Sequence, residues 1–217
     1  DVVISTSGAY NGSGTTSAAS GGVVKISAAR TASSAPWTIQ KSAGTAANDL
    51  IVIGIEAWLS TSNPLSVCNM GAAGSKVWDW ANPNESWNAR NAIKTIAPDL
   101  TIICLTINDW AANTAEATYK AALATLVEAA AYSGDVVLMV GVPSNDGTAP
   151  LARQKIFDGY VCDIALQYDC PVIAMPDRWV SQSCRPDRGY YFDGLHPSAV
   201  GYMDIGHAVA RHIIEAR

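Results

Sequence analysis

Near the end of the chain, Asp193-Gly194-Leu195-His196-Pro197-Ser198 sets an acid and a histidine three positions apart, in a turn just ahead of a helical stretch. Histidine is the side chain that moves protons near neutral pH. A carboxylate accepting from one ring nitrogen fixes the tautomer and leaves the other nitrogen to act as a base. Taken alone, D-x-x-H also describes a turn-capping Asp beside a surface His. Two upstream stretches add to it. Asn69-Met70-Gly71-Ala72-Ala73-Gly74-Ser75 follows an expected strand, and two glycines there leave backbone N–H groups for a ligand. Asn108-Asp109 ends a continuous apolar run. The first reads equally as a tight turn and the second as a helix-capping pair. Their order, each past a strand end, points to one site at one edge of a sheet.

The scaffold implied by the rest of the sequence has two parts. Residues 1–62 are rich in Gly, Ser, Thr and Ala and lack a helical period. Short strands are expected at 2–5, 23–28, 37–41 and 50–58, as a β-rich accessory or inserted module. From residue 63 on, strands alternate with helices. Strands are expected at 65–69, 100–107, 135–142 and 171–175, and helices at 87–97, 115–132, 150–168 and 198–216, with Ser198 as the last N-cap. LTIICLTI and DVVLMVGV are continuous apolar runs of the kind buried on both faces of a parallel sheet. Repeated strand–helix units imply a parallel sheet covered by helices.

Composition narrows the function. Of 217 residues, 49% are apolar and 15% charged, which describes a packed domain rather than a disordered chain. The net charge of −5, with no basic patch, argues against a nucleic-acid partner. No apolar run is long enough for a membrane span, and no signal peptide is expected at the N-terminus. Cys68 and Cys104 lie in apolar runs and read as buried thiols. Cys162, Cys170 and Cys184 leave room for one disulfide. No C-x-x-C or H-x-x-x-H pair suggests a metal, and no cofactor is expected.

These blocks resemble the SGNH (GDSL-type) hydrolase family. That family has a Ser in G-D-S, then N-x-G-x-x-G, G-x-N-D and D-x-x-H. NMGAAG matches the second block and implies an oxyanion-hole glycine at Gly74. Thr106-Ile107-Asn108-Asp109 matches the third, with Thr in place of the usual Gly, and implies a side-chain oxyanion donor at Asn108. DGLH matches the fourth, with Asp193 the triad acid and His196 the base. The resemblance covers about residues 64–217. It implies a three-layer α/β/α flavodoxin-like fold with a five-stranded parallel sheet, and ester hydrolysis, often deacetylation of carbohydrates. The substrate implied is an acylated carbohydrate or another small ester.

The chain departs from the family at the nucleophile, because no G-D-S occurs. Only four parallel-type strands are expected where the family has five, and the absent one is central and carries the serine. Three arrangements remain open. The strand and its serine belong to an upstream segment of the same precursor, with residues 1–62 inserted after it, which is the preferred reading. Alternatively, 2–4 is the central strand and Ser7 the nucleophile, although the Gly/Ser-rich stretch that follows is a poor crossover helix. Finally, 50–57 is that strand with Ala57 a mutated nucleophile, although the crossover to Asn69 is then short.

Other residues have plainer readings beside functional ones. Trp78, Trp80 and Trp87 could stack on a sugar but commonly pack a helix start. His207 and His212 are expected to be structural, Ser75 to orient rather than attack, and Asp109 to brace its loop. The leading expectation is a carbohydrate O-acetylesterase. A non-catalytic carbohydrate-binding protein on a decayed hydrolase fold is the alternative. The N-terminal composition is similar to that of phage-tail or secreted carbohydrate-active proteins, which favours an extracellular or virion-associated setting.

Overall fold

The computed structural model describes residues 2–6, 11–14, 37–41, 66–84, 89–143, 151–179 and 189–215. The strands expected at 23–28 and 50–58 lie outside these. Three strands, β1 (Val2–Thr6), β2 (Asn11–Gly14) and β3 (Trp37–Lys41), form an antiparallel sheet in the order β2-β1-β3. Val3 pairs with Ser13 on one side and Gln40 on the other. Both edges of β1 are therefore occupied by antiparallel neighbours. This corrects the arrangement in which residues 2–4 form the centre of the parallel sheet. Ser7 itself lies outside the described residues.

The second sheet is parallel, in the order β4-β5-β6, from β4 (Leu100–Ile103), β5 (Asp135–Val140) and β6 (Val172–Ala174). β5 is the middle strand, and its alternation explains the layers. Val136, Leu138 and Val140 enter one apolar cluster, Val137 and Met139 the other. A strand buried on both faces must be apolar at consecutive positions, which is why DVVLMV shows no polar alternation. The result is the expected α/β architecture with a helical layer on each face.

Helices α1 (Val77–Ala81), α2 (Ala89–Ile96), α3 (Ile107–Ala112), α4 (Glu116–Ala130) and α5 (Leu151–Tyr168) contribute to the first cluster. α4 is built from strong helix formers and buries Tyr119, Ala122, Leu123, Leu126, Val127 and Ala130 along one face. Leu123 and Leu126 are each at most 2% exposed, and truncating such a side chain costs about 2–5 kcal/mol. Lys120 on the same helix reaches Glu116 and Asp163 at 2.7 Å each, linking α4 to α5. The second cluster is closed by α6 (Met175–Trp179) and by Ile205, Ala208 and Val209 of α7 (Ala199–Glu215).

Two expectations change here. Residues 66–70 are not a strand, and Val67 is 85% exposed. The apolar pattern was right for a strand, but no neighbour pairs with it among the described residues. β4 ends at Ile103 rather than 107, because Ile107 opens α3 instead. A continuous apolar run does not by itself distinguish strand from helix. Cys68 is exposed, not buried, while Cys104 has exposed surface at the cleft wall yet its thiol is pushed up to about 11 by burial. Cys162 and Cys170 are free thiols, and Cys184 lies outside the described residues.

One glycine sets how closely the first crossover packs. A Cβ on Gly134 would lie 2.3 Å from Asp99 O and 2.4 Å from Pro98 O, backbone atoms that cannot swing aside. Gly134→Ala is expected to destabilise the chain by about 1–3 kcal/mol, the cost of forced overpacking. A urea-denaturation midpoint equal to that of the parent chain would show that this contact is not kept in solution.

Candidate active site

The loop carrying the acid and histidine is fixed from several directions. Asp193 Oδ1 accepts from the Leu195 N–H at 2.7 Å and the His196 N–H at 2.6 Å. Asp193 Oδ2 lies 2.8 Å from His196 Nδ1. One carboxylate thus closes its own turn and holds the imidazole by Nδ1, so Nε2 is the ring nitrogen that Asp193 does not engage. The turn is sealed by Phe192 N–H donating to His196 O at 2.9 Å and Ser198 N–H donating to Tyr190 O at 2.8 Å. The Ser198 hydroxyl accepts from Gly201 N–H at 3.2 Å and so caps α7 as expected. The Tyr191 hydroxyl donates to Pro143 O, just past the end of β5.

Behind the loop, Trp179 stacks on Tyr190 with centroids 5.1 Å apart and meets Tyr191 edge-on at 5.2 Å. Its indole N–H donates to Asp204, which also takes a bidentate pair of bonds from Arg178. A Cβ on Gly201 would stand 2.2 Å from Tyr190 O, so only glycine lets α7 approach the loop this closely. The pair itself faces outward, with side chains of His196 and Asp193 64% and 45% exposed.

The His196 N–H, the His196 ring and the Leu195 N–H together hold the Asp193 carboxyl at about 2. A carboxyl lowered on folding keeps its native hydrogen bonds above the ordinary carboxylate range. It loses them as pH falls through its folded value. A ¹³C NMR titration of the Asp193 carboxyl is therefore expected to give a midpoint of about 2. A midpoint at the ordinary aspartate value would contradict the turn described here.

The other two blocks meet across the start of α1. Gly71 N–H donates to Asn69 Oδ1 at 2.9 Å, a local turn of the kind asparagine favours. Gly74 has φ +76, a left-handed conformation open to glycine. Asn108 Nδ2 donates to Ser75 O at 2.8 Å, across 33 residues of sequence. Asp109 is 1% exposed, and its Oδ2 accepts from Val77 N–H at 2.8 Å. Burial pushes its carboxyl up, while the Val77 N–H, the Thr114 side chain and the Lys76 charge pull it down. Asp109 does brace its loop, and it does so by holding the first turn of another helix.

These segments line a cleft of about 170 Å³ formed by Gly71, Ala72, Ser75 and the run from Cys104 to Asn108. Gly74 belongs to the same loop but is not among the lining residues. Leu195, between Asp193 and His196, packs against the apolar cluster that also holds Met70, Leu105 and Ile107. One cluster therefore underlies both the cleft walls and the histidine loop. Trp80 is buried and Trp78 is 51% exposed; Trp87 and Ala57 lie outside the described residues. His207 is exposed on α7. Sequence reasoning missed the anchoring role of Tyr191 and the Trp80 indole bond to Ser75. The aromatic pair Tyr190-Tyr191 just before the acid was the one signal available for the former.

A parallel sheet layered on both faces by helices, with an acid–histidine turn after its last strand, defines a three-layer α/β/α hydrolase. The chain belongs to the GDSL-like lipase/acylhydrolase family, which matches residues 42–203. Solved structures agree on the fold. A lipase/acylhydrolase from Enterococcus faecalis is 23% identical, with a TM-score of 0.52 over 64% of this chain and 71% of that one. An acetylxylan esterase from Geobacillus stearothermophilus is 20% identical, with a TM-score of 0.52 over 67% and 71%. A peptidoglycan O-acetylesterase is 16% identical, with a TM-score of 0.57 over 68% of this chain but only 45% of that one. No curated protein matches the sequence.

Proposed function

We propose that this chain is an SGNH-type ester hydrolase that removes acetyl groups from carbohydrate. His196 is the base, Asp193 orients it, and the Gly74 N–H and Asn108 amide stabilise the oxyanion. The observation that carries the reading is the 2.8 Å bond between His196 Nδ1 and Asp193 Oδ2, in a turn that fixes both groups. Family membership supports ester hydrolysis. The acetylxylan esterase and peptidoglycan O-acetylesterase neighbours support the acetyl group and the carbohydrate.

In this reading a serine Oγ attacks the ester carbonyl as its proton passes to His196 Nε2. The carbonyl oxygen becomes an oxyanion, which two N–H donors stabilise by about 3 kcal/mol each. Collapse breaks the bond to the sugar oxygen, and His196 returns the proton to that alcohol. Water, deprotonated by His196, then releases acetate and restores the serine. The serine is the one member taken from outside the described residues. Its strand would run along the outer edge of β4, which has no strand partner among the described residues.

The test combines acetate release from acetylated xylooligosaccharide with labelling by a fluorophosphonate, which modifies an activated serine. Acetate release with one labelled serine, located by peptide mass spectrometry, is expected. Saccharide binding with neither acetate nor label would replace the esterase with the carbohydrate-binding alternative. That alternative is motivated by the absence of G-D-S from the sequence.

A further inference from the structure

Ser75 is bonded through every polar atom it has. Its hydroxyl accepts from the Trp80 indole N–H at 2.7 Å and donates to Ala72 O at 2.7 Å. Its N–H donates to the same Ala72 carbonyl at 3.3 Å. Its carbonyl accepts from the Asn108 side-chain amide at 2.8 Å. A primary amide has two N–H donors and one carbonyl. Occupying one N–H with Ser75 O settles which end of the Asn108 amide is nitrogen and fixes its plane. The second N–H is then the one left for a ligand in the cleft.

We infer that Ser75 is a positioning residue: its hydroxyl, clamped between the Trp80 indole and Ala72 O, holds the carbonyl that aims the Asn108 amide. The argument rests on the oxyanion role proposed for Asn108. An oxyanion donor contributes by being preorganised, so that it does not reorient as charge develops. A side chain at the end of an unbraced loop would lose that advantage. Here the brace is anchored in the core, because Trp80 is 6% exposed and packs in the cluster that carries α4 and α5. Rigidity from the packed helices is thereby passed through one indole and one hydroxyl to the cleft. Without the hydroxyl, the indole N–H loses this acceptor and the turn loses one of its two bonds to Ala72 O.

The experiment is a mutant cycle in the full chain, read by acetyl-ester kinetics and by ¹H–¹⁵N NMR of the Trp80 indole and Asn108 amide signals. Ser75→Ala is expected to lower kcat about 10-fold with KM unchanged, as a misaimed but present donor would. Ser75→Thr, which keeps the hydroxyl, is expected to restore both the rate and the signals. In an Asn108→Ala background, Ser75→Ala should change kcat by less than about 2-fold, since a residue acting through another adds nothing once that one is gone. Fully additive losses, or a change in KM alone, would overturn the proposal while leaving the esterase reading intact. The NMR arm does not depend on turnover: if Ser75→Ala leaves the Asn108 amide signals unmoved, Ser75 does not position them. If Asn108→Ala leaves kcat unchanged although Ser75→Ala moves those signals, the oxyanion role fails, and the positioning role in catalysis with it.

Discussion

His196→Ala is expected to lower ester turnover by about 10⁴-fold, the upper end of what a positioned general base contributes. Two observations set the size of the effect. Asp193 is committed to His196 through both oxygens, by the backbone N–H and by Nδ1, and stays ionised through the working range. The other two histidines, His207 and His212, lie on α7 rather than in the loop. Folding should be barely affected, because the imidazole is 64% exposed and, among the described residues, makes its ring bond to Asp193 alone. Loss of rate with an unchanged melting temperature is therefore the expected pattern. Undiminished hydrolysis of p-nitrophenyl acetate by the variant would remove His196 from the mechanism.

Asn108→Ala is expected to reduce kcat by about 10²-fold, roughly 3 kcal/mol of transition-state stabilisation, with KM nearly constant. The amide is bonded to Ser75 O in a cleft edge formed by the glycine loop, so it is already placed before substrate arrives. A donor that meets a carbonyl weakly in the ground state and an oxyanion strongly in the transition state affects kcat. An Asn that mainly bound the sugar would instead raise KM and leave kcat alone. Measuring both constants on one acetyl ester separates the two roles. A structural loss would show in the melting temperature, because the Ser75 contact also joins the loop before α1 to α3.

The sequence by itself determined what is local. The turn Asp193–His196 closes on bonds spanning two or three residues, so its composition suffices to write it. The cap at Ser198, the glycine turn after Asn69, the helices α4 and α5 and the doubly buried β5 are equally short-range consequences of residue type and period. The tertiary structure decided the pairings that no local pattern encodes. β1 reads as an apolar strand in any sheet, and only its partners make it antiparallel. Residues 66–70 carry strand-like composition but find no neighbour among the described residues. The run LTIICLTI is cut at Ile103 because Ile107–Asp109 turn into α3, where Asp109 reaches Val77. The bonds joining Ser75 to Asn108 and the first residue of α1 to Asp109 cross 33 and 32 residues. Such contacts depend on how helices and strands are stacked by core burial, a global property of packing, whereas a turn's hydrogen bonds depend only on the few residues that make it.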